Sequence, residues 1–184
     1  MEEYLGLLIS SARTLERNAS SEIYYLFTEL LEYDDVKVSP VKEISGLSLA
    51  KLTKDPILAL EEAKGIIEND ASVLRYVLKI VPIQHRISTS LDNFEEASEA
   101  FSSLIKPEDT WKINLRRRHT TISREEIISS IASKISHGKV MLDNPNYYII
   151  VEVLGKWTYL ALSSIPELAV TKYIPDESED DFTF

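Results

Sequence analysis

The sequence predicts an α+β fold built from two consecutive domains. Apolar residues alternate in some short stretches, as in strands, and recur every three or four positions in others, as in helices. Turn signals separate the two kinds of stretch. The 184 residues suffice for one ordinary domain or two small ones. We place an N-terminal domain at 1–72, a second domain at 73–173 and an acidic tail at 174–184.

The N-terminal domain shows the order strand, helix, two strands, helix. The predicted elements are a strand at 4–9, a helix from Ala12 to Leu30, strands at 36–41 and 47–52, and a helix that ends at Asn69-Asp70. Asp55 and Pro56 begin this last helix, because Asp accepts free backbone N–H groups and proline lacks a donor that would be unpaired there. This order is typical of a ferredoxin-like α+β unit.

The second domain is predicted in the same way. Its elements are a strand at 75–87 interrupted by Pro82, a helix from Asp92 to Ile105, a strand from Thr110, a helix from Ser123 to Ile135, a short strand at 139–142, and a hairpin of strands at 147–153 and 157–162. Ser123 and Glu126 have the spacing of a capping box, in which each side chain satisfies a donor of the first turn. Residues 143–146, Asp-Asn-Pro-Asn, predict a turn.

The strand from Thr110 carries an unusual concentration of positive charge in the sequence TWKINLRRRHTTIS. Because successive side chains on a strand point to opposite faces, Lys112, Arg116 and Arg118 share one face. Arg117 has the apolar parity but lies where the strand ends, and His119 extends the cluster into a loop. The simpler interpretation is a solvated strand edge that discourages unwanted pairing. Further cations widen the patch if they face the same way: Arg75, Lys79, Arg86, Lys134, Lys139 and Lys156.

Charge is unevenly distributed over a chain whose formal net charge is −10. Residues 1–72 hold seven basic and 14 acidic side chains, residues 73–173 hold 13 and 11, and residues 174–184 hold none and five. A polyanion therefore has a plausible binding site only in the second domain, and only as a local patch. The tail keeps the protein soluble, competes with a polyanion for the basic face, or binds a basic partner.

Several classes of function receive no support from the sequence. The chain has no cysteine, and its three histidines lack metal-ligand spacing, so we expect no disulfide, thiolate nucleophile or metal site. It contains no glycine-rich nucleotide motif, and we expect no cofactor. No apolar run approaches the roughly 20 residues that cross a bilayer, and the N-terminus opens with acids, so we expect a cytoplasmic protein without membrane contact.

Together, RYVLKIVPI, TWKINLRRRH, the helix after Ser123, KVMLDNPNYYIIVEV and the closing hairpin resemble the THUMP domain, an RNA-binding module of tRNA-modifying proteins. The resemblance covers 73–173 and implies a mixed sheet with two helices. The stretch GLSLAKLTKDPILALEEAKGIIEND, followed by RYVLKIVPI, is most similar to stand-alone THUMP proteins that assist tRNA cytidine acetylation. In that family an N-terminal ferredoxin-like domain precedes the module.

The resemblance implies an adaptor and not an enzyme. Such an adaptor presents tRNA, bound near its acceptor end, to an RNA acetyltransferase that makes N4-acetylcytidine. The arginines of the basic strand and His119 fall on the family's basic strand end, and Asn144 on its characteristic turn. The residues that we expect to bind RNA are Lys79, Arg86, Lys112, Arg116, Arg117, Arg118, His119, Lys139 and Asn144. We expect no catalytic residue.

Two alternatives stay open at this point. One is a protein-interaction subunit of another tRNA-modification complex, with only weak RNA binding of its own. The other is a small-molecule enzyme on an acylphosphatase-like sheet, which would need a tight anion loop that the sequence does not contain. If the adaptor hypothesis is right, replacing Arg116, Arg117 and Arg118 by alanine weakens tRNA binding and leaves thermal unfolding almost unchanged.

Overall fold

The computed structural model describes residues 1–170, so the predicted tail at 174–184 and the end of the second domain lie outside the described residues. The described part contains nine strands and four α-helices. In chain order these are β1 (Glu2–Ser11), α1 (Glu16–Tyr25), β2 (Lys37–Pro40), β3 (Leu47–Lys51), α2 (Pro56–Asn69), β4 (Val77–Ser88), α3 (Leu91–Ser102), β5 (Thr110–Arg118), α4 (Arg124–Ala132), β6 (Lys139–Val140), β7 (Tyr147–Leu154), β8 (Trp157–Ser163) and β9 (Leu168–Ala169).

All nine strands belong to one mixed sheet. The strands lie in the order β2-β3-β1-β4-β8-β7-β5-β6, and β9 pairs with the same edge of β4 as β8 does. β5 is parallel to its neighbours β6 and β7, whereas the other pairs are antiparallel. The predicted α+β class, with a mixed sheet and two helices in the second part of the chain, is confirmed.

The helices begin close to where their capping signals predict. The Asp55 carboxylate accepts hydrogen bonds from the backbone N–H groups of Ile57 and Leu58 at 2.8 and 3.0 Å, and Pro56 is the first residue of α2. The capping box of α4 is also present. α1 starts four residues later than predicted and continues into a π-helical segment at Leu26–Leu30. The N-cap of α3 is Ser90, not Asp92, because the serine hydroxyl accepts from a backbone N–H of the first turn.

β4 links the two predicted domains. Its residues pair with β1 from Val77 to Arg86, and its other edge pairs with β8 and β9. Val77 and Ile80 pack into a cluster with α1 and α2, whereas Ile87 packs into a cluster with α3 and α4. The domain boundary at 72 and the ferredoxin-like assignment of the N-terminal part stay predictions.

The four helices cover one face of the sheet. Leu7 and Ile9 pack toward α1 and α2, and Ile149 packs toward α3 and α4, whereas the intervening Leu8 and Ile150 belong to one cluster on the other side. Because side chains alternate along a strand, this third cluster marks a single opposite face. We call it the helix-free face.

Candidate nucleic-acid interface

The register of β5 places the predicted cations. Arg116 lies beside Glu152 and Arg118 beside Leu154 of β7, so both arginines project from the helix-free face, as does Lys112 by the same alternation. Arg117 has the opposite parity, and its Nη1 donates to the carbonyl oxygen of Ile122 at 3.1 Å. The predicted alternation is therefore confirmed, and Arg117 is separated from the other cations of the strand.

The two arginines on the helix-free face are neutralised by acids of the same chain. Arg118 Nη1 donates to Glu152 Oε2 at 2.9 Å, and Arg116 Nη2 lies 3.2 Å from Glu167 Oε2. Glu152 is only 3% exposed. Burial raises the pKa of its carboxyl group, and the charge of Arg118 partly opposes that rise. The sequence suggested a patch of arginines without neighbouring acids. On the helix-free face, however, both arginines are paired with glutamates.

Lys79 and Arg86 lie in different surroundings although both belong to β4. Lys79 Nζ is 3.4 Å from Glu167 Oε2, so Lys79 and Arg116 share one carboxylate. Arg86 pairs with Glu2 at 2.7 Å, and its guanidinium carbon lies 4.5 Å from the centre of the Trp157 ring. Lys79 thus joins the group around β5, whereas Arg86 forms a separate contact with the start of β1.

Lys112, Lys139 and Asn144 lie at the opposite end of β5 from His119. Lys112 Nζ donates to the carbonyl oxygen of Leu142 at 2.9 Å and lies 5.5 Å from the centre of the Tyr148 ring. Lys139 is exposed at the start of β6. Asn144 is exposed in the turn with a left-handed φ of 46°. Lys112 and Lys139 thus lie at one end of β5, away from the arginines, and Asn144 adds a neutral amide at that end.

A groove lies beyond the other end of β5. Its floor includes Leu154, Trp157 and Tyr159, and it encloses a cavity of about 170 Å³. It adjoins a wider opening of about 790 Å³. The two openings share Glu43, Ile44 and His119, and their lining includes five basic or imidazole side chains: Arg13, Lys42, Arg118, His119 and Lys156. We call this feature the basic groove.

The basic groove contains cations that are not neutralised within the described part of the chain. Among residues 1–170, Arg13, Lys42 and Lys156 form no ion pair, and all three are exposed. Of the lining residues that positions 1–170 provide, Glu43 is the only acid. Sequence reasoning missed Arg13 and Lys42, because both precede the basic strand by more than 60 residues and no local pattern connects them to it.

The backbone around the basic groove adopts uncommon conformations. Thr14, His119 and Gly155 all line it, with φ values of 72°, 55° and 63°. A β-branched residue such as threonine rarely adopts positive φ, and such strain persists where surrounding contacts enforce it. Gly155 tolerates its conformation, and its N–H donates to the carbonyl oxygen of Arg118 at 2.9 Å. The tip of the β7–β8 hairpin is thereby attached to the end of β5.

Glu16 holds the wall of the basic groove that contains Lys42. Its carboxylate accepts hydrogen bonds from the Ser45 hydroxyl at 2.9 Å, from the Thr14 N–H at 3.1 Å and from the backbone N–H of Gly46. The bond from Gly46 is the largest cause that lowers the pKa of Glu16 to about 2. Because these donors prefer a charged acceptor, the carboxylate ties the loop between β2 and β3 to the start of α1.

Residues 1–170 contain neither a membrane-spanning helix nor a cluster of metal ligands. In this range no helix has the length and apolar character needed to span a membrane. No group of three or more histidine, cysteine, aspartate or glutamate side chains in the same range is placed to hold a metal ion.

Residues 89–163 match the model of the THUMP domain. The chain contains a THUMP domain. The matched range includes α3, β5, α4, β7 and β8, and with them Lys112, Arg116 to His119 and Lys156. Arg13, Lys42, Lys79 and Arg86 precede the matched range, and Glu167 follows it. The basic groove and the pair of cations on Glu167 therefore both combine residues inside the matched range with residues outside it.

Solved structures have the same fold as this chain. PH1313 from Pyrococcus horikoshii aligns over 90% of this chain and 55% of its own, with a TM-score of 0.59 and 14% sequence identity. TrmN from Thermus thermophilus aligns over 89% and 46%, with a TM-score of 0.58 and 17% identity. A 4-thiouridine synthetase, solved in complex with RNA and ATP, aligns over 90% and 42%, with a TM-score of 0.53 and 11% identity.

This chain spans about half the length of the structures that it matches. No curated protein matches its sequence significantly. At these identities the structural comparisons establish the fold.

Proposed function

We propose that this chain binds tRNA and acts as an adaptor, which presents tRNA to an RNA cytidine acetyltransferase for the formation of N4-acetylcytidine. In this proposal the chain does not catalyse the reaction and works in the cytoplasm. Its THUMP domain supports a role in RNA binding and tRNA modification. The fold that it shares with TrmN and with a 4-thiouridine synthetase bound to RNA supports the same role.

The observation that carries the proposal is the convergence of cations on the basic groove. The cations Arg13, Lys42 and Lys156 come from three separate segments, the His119 imidazole comes from a fourth, and together they surround a floor that contains Trp157. Cations bind phosphates and release condensed counterions, and aromatic rings stack on unpaired bases. A groove with both features suits RNA in which a helical end adjoins unpaired nucleotides, as at a tRNA acceptor end.

The electrostatics favour a localised contact. The chain has a formal net charge of −10, so RNA is repelled by most of its surface. Arg116 and Arg118 are paired with acids, whereas Lys42 and Lys156 have no ion-pair partner in residues 1–170. We therefore expect the lysines of the groove to provide more of the phosphate binding than the arginines of β5.

The test is a salt titration of tRNA binding by a charge-removal variant. Lys42→Ala with Lys156→Ala removes two phosphate contacts, so the slope of log K against log salt becomes shallower by about two. Affinity at about 50 mM salt falls roughly fivefold to tenfold, as expected when each of the two contacts contributes about 0.5–0.7 kcal/mol. Lys37→Ala with Lys64→Ala is the matched control, because both lysines are exposed outside the groove and the net charge changes equally. Equal losses in the two double variants would contradict the proposal.

A second assay addresses the acceptor end and the partner. Total tRNA with and without its terminal CCA is mixed with the wild-type protein, and the retained RNA is sequenced. Loss of retention without CCA is the expected result. Cytidine acetylation by the acetyltransferase is then measured with and without the chain, and an adaptor should raise the yield at limiting tRNA.

One observation favours the alternative, a protein-interaction subunit with weak RNA binding. β6 lies at the edge of the sheet, and no strand among residues 1–170 pairs with its outer side. Val140 is 63% exposed, Met141 44% and Leu142 71%, so an apolar edge faces solvent. Such edges are suited to pairing with another chain. This alternative predicts that the isolated protein fails to retain tRNA even at low salt. Retention should appear only when the partner protein is added.

A further inference from the structure

Glu167 connects two cations that belong to non-adjacent strands of the sheet. Lys79 belongs to β4 and Arg116 to β5, and strands β8 and β7 lie between them. Both side chains reach the same carboxylate oxygen, Oε2 of Glu167, at 3.4 and 3.2 Å. Glu167 itself lies in the four-residue connection between β8 and β9. The pair of cations is therefore assembled only in the folded protein.

The three side chains are partly open to solvent. Lys79 is 16% exposed, Glu167 27% and Arg116 40%. The other acid near Arg116 is Glu152, whose carboxylate is engaged by Arg118. If the Glu167 side chain rotated away, Lys79 and Arg116 would face each other without a counter-charge of their own. Two such cations attract an anion with adjacent oxygens, which describes both a carboxylate and a phosphodiester.

The backbone on either side of Glu167 is held in place. The Ser163 hydroxyl donates to the carbonyl oxygen of Ile165 at 2.7 Å and accepts from its N–H at 3.0 Å. On the other side, Leu168 and Ala169 pair with β4. The Glu167 side chain can leave the two cations by changing its rotamer, with no movement of a strand. Ion pairs at partly exposed positions are weak, so this exchange has a small cost.

We propose that Lys79 and Arg116 form a binding site for one phosphodiester group of RNA, which Glu167 occupies in the free protein. The phosphate displaces the Glu167 carboxylate when RNA binds. This inference rests on the proposed RNA-binding function and adds a specific contact and an internal competitor to it. The competitor lowers affinity for any polyanion, and an RNA that also fills the basic groove gains enough additional contacts to displace it.

The experiment compares Glu167→Gln with a matched control. Glu61→Gln changes the net charge equally, and Glu61 is exposed on α2, on the opposite face of the sheet. We expect Glu167→Gln to bind tRNA about threefold to tenfold more tightly at about 50 mM salt, because two weak ion pairs no longer compete. Glu61→Gln should bind like the wild type. Adding Arg116→Gln to Glu167→Gln should abolish the gain.

A second measurement does not depend on tRNA. Dimethyl phosphate, a phosphodiester without a base, is titrated into ¹⁵N-labelled protein while the Nε–H resonance of Arg116 is followed. In Glu167→Gln this resonance should shift at lower concentrations of dimethyl phosphate than in the wild type. Thermal unfolding of each variant is measured in parallel.

The outcomes separate the two proposals. If Glu167→Gln binds tRNA like the wild type and dimethyl phosphate does not shift the Arg116 resonance, Lys79 and Arg116 do not form a phosphodiester site. A lower melting temperature of Glu167→Gln would then assign Glu167 a structural role. If neither variant binds tRNA but dimethyl phosphate shifts Arg116 as expected, the site stands and the tRNA-binding function fails. Tighter tRNA binding that persists after Arg116→Gln would also overturn the inference.

Discussion

Arg118→Ala should destabilise the fold far more than Arg117→Ala, although the two residues are neighbours in a basic run. Arg118 holds the carboxylate of Glu152, which is buried on the helix-free face, and no other hydrogen bond from a side chain reaches that carboxylate within residues 1–170. Breaking a buried ion pair from one side costs roughly 3–5 kcal/mol, because the remaining charge is left without compensation. Arg118 is itself 29% exposed, and Glu152 can become protonated, so we expect about 2–3 kcal/mol at neutral pH.

The loss depends on pH in a defined direction. Burial raises the pKa of Glu152, so the folded protein prefers the protonated carboxyl group more than the unfolded chain does. At pH values above the pKa that Glu152 has in the unfolded chain, its charged carboxylate therefore lowers the stability of the fold. This penalty disappears as the pH falls below that pKa. Arg118 lowers the pKa of Glu152, so its removal enlarges the penalty. The deficit of Arg118→Ala should be greatest at neutral pH and shrink toward acidic pH.

Urea unfolding of the wild type, Arg118→Ala and Arg117→Ala, each at neutral and mildly acidic pH, provides the assay. A loss of about 2–3 kcal/mol corresponds to a melting temperature lower by roughly 4–12 °C for a chain of this size. Arg117→Ala should change stability by less than about 0.5 kcal/mol, as is usual for an exposed position. Combining Arg118→Ala with Glu152→Gln should recover part of the loss. Equal stability of the two arginine variants, or a deficit independent of pH, would refute this reasoning.

Two further substitutions test the N-terminal part. Gly6→Ala places a Cβ against the carbonyl oxygen of Ala50 in β3, so it should cost about 1–3 kcal/mol in urea unfolding, whereas Gly65→Ala, whose Cβ meets open space on α2, should stabilise by about 0.5–1 kcal/mol. If Gly6→Ala and Gly65→Ala changed the free energy of unfolding equally, the close approach of Gly6 in β1 to the Ala50 carbonyl oxygen in β3 would be contradicted. Glu16→Gln removes a carboxylate whose pKa is lowered from 4.5 to about 2 in the folded protein. The charged carboxylate therefore stabilises the fold at pH values above 4.5, and this stabilisation is lost as the pH falls toward about 2. The stability difference from the wild type should therefore narrow over that range, and a constant difference would contradict the role of Glu16.

The loss expected for Arg118→Ala changes how the basic strand is tested. The sequence predicted that replacing Arg116, Arg117 and Arg118 together would leave thermal unfolding almost unchanged. Because Arg118 compensates a buried carboxylate, a triple variant would lose stability together with any RNA contact. Substitutions in the basic groove avoid this ambiguity, since Lys42 and Lys156 are exposed and form no ion pair within residues 1–170.

Local features were predictable from the sequence because they depend on neighbouring residues. The alternation along β5, the capping box at Ser123 and the start of α2 at Asp55 all follow from the geometry of a strand or a first helical turn. The hairpin around Gly155 was predictable for the same reason, since a two-residue turn joins β7 to β8. None of these features requires knowledge of where the rest of the chain lies.

The state of the cations was decided by the tertiary structure. Glu152 is 34 residues from Arg118 in sequence, and Glu167 is 51 residues from Arg116, so only the order and register of the strands bring each pair together. The basic groove likewise joins Arg13 and Lys42 to His119 across the sheet. Sequence alone determined which face of β5 is basic, because side-chain direction is a local property of the backbone. The fold determined which of those charges remain available, because Coulomb energy depends on distance in space and on burial, which separation along the chain does not set.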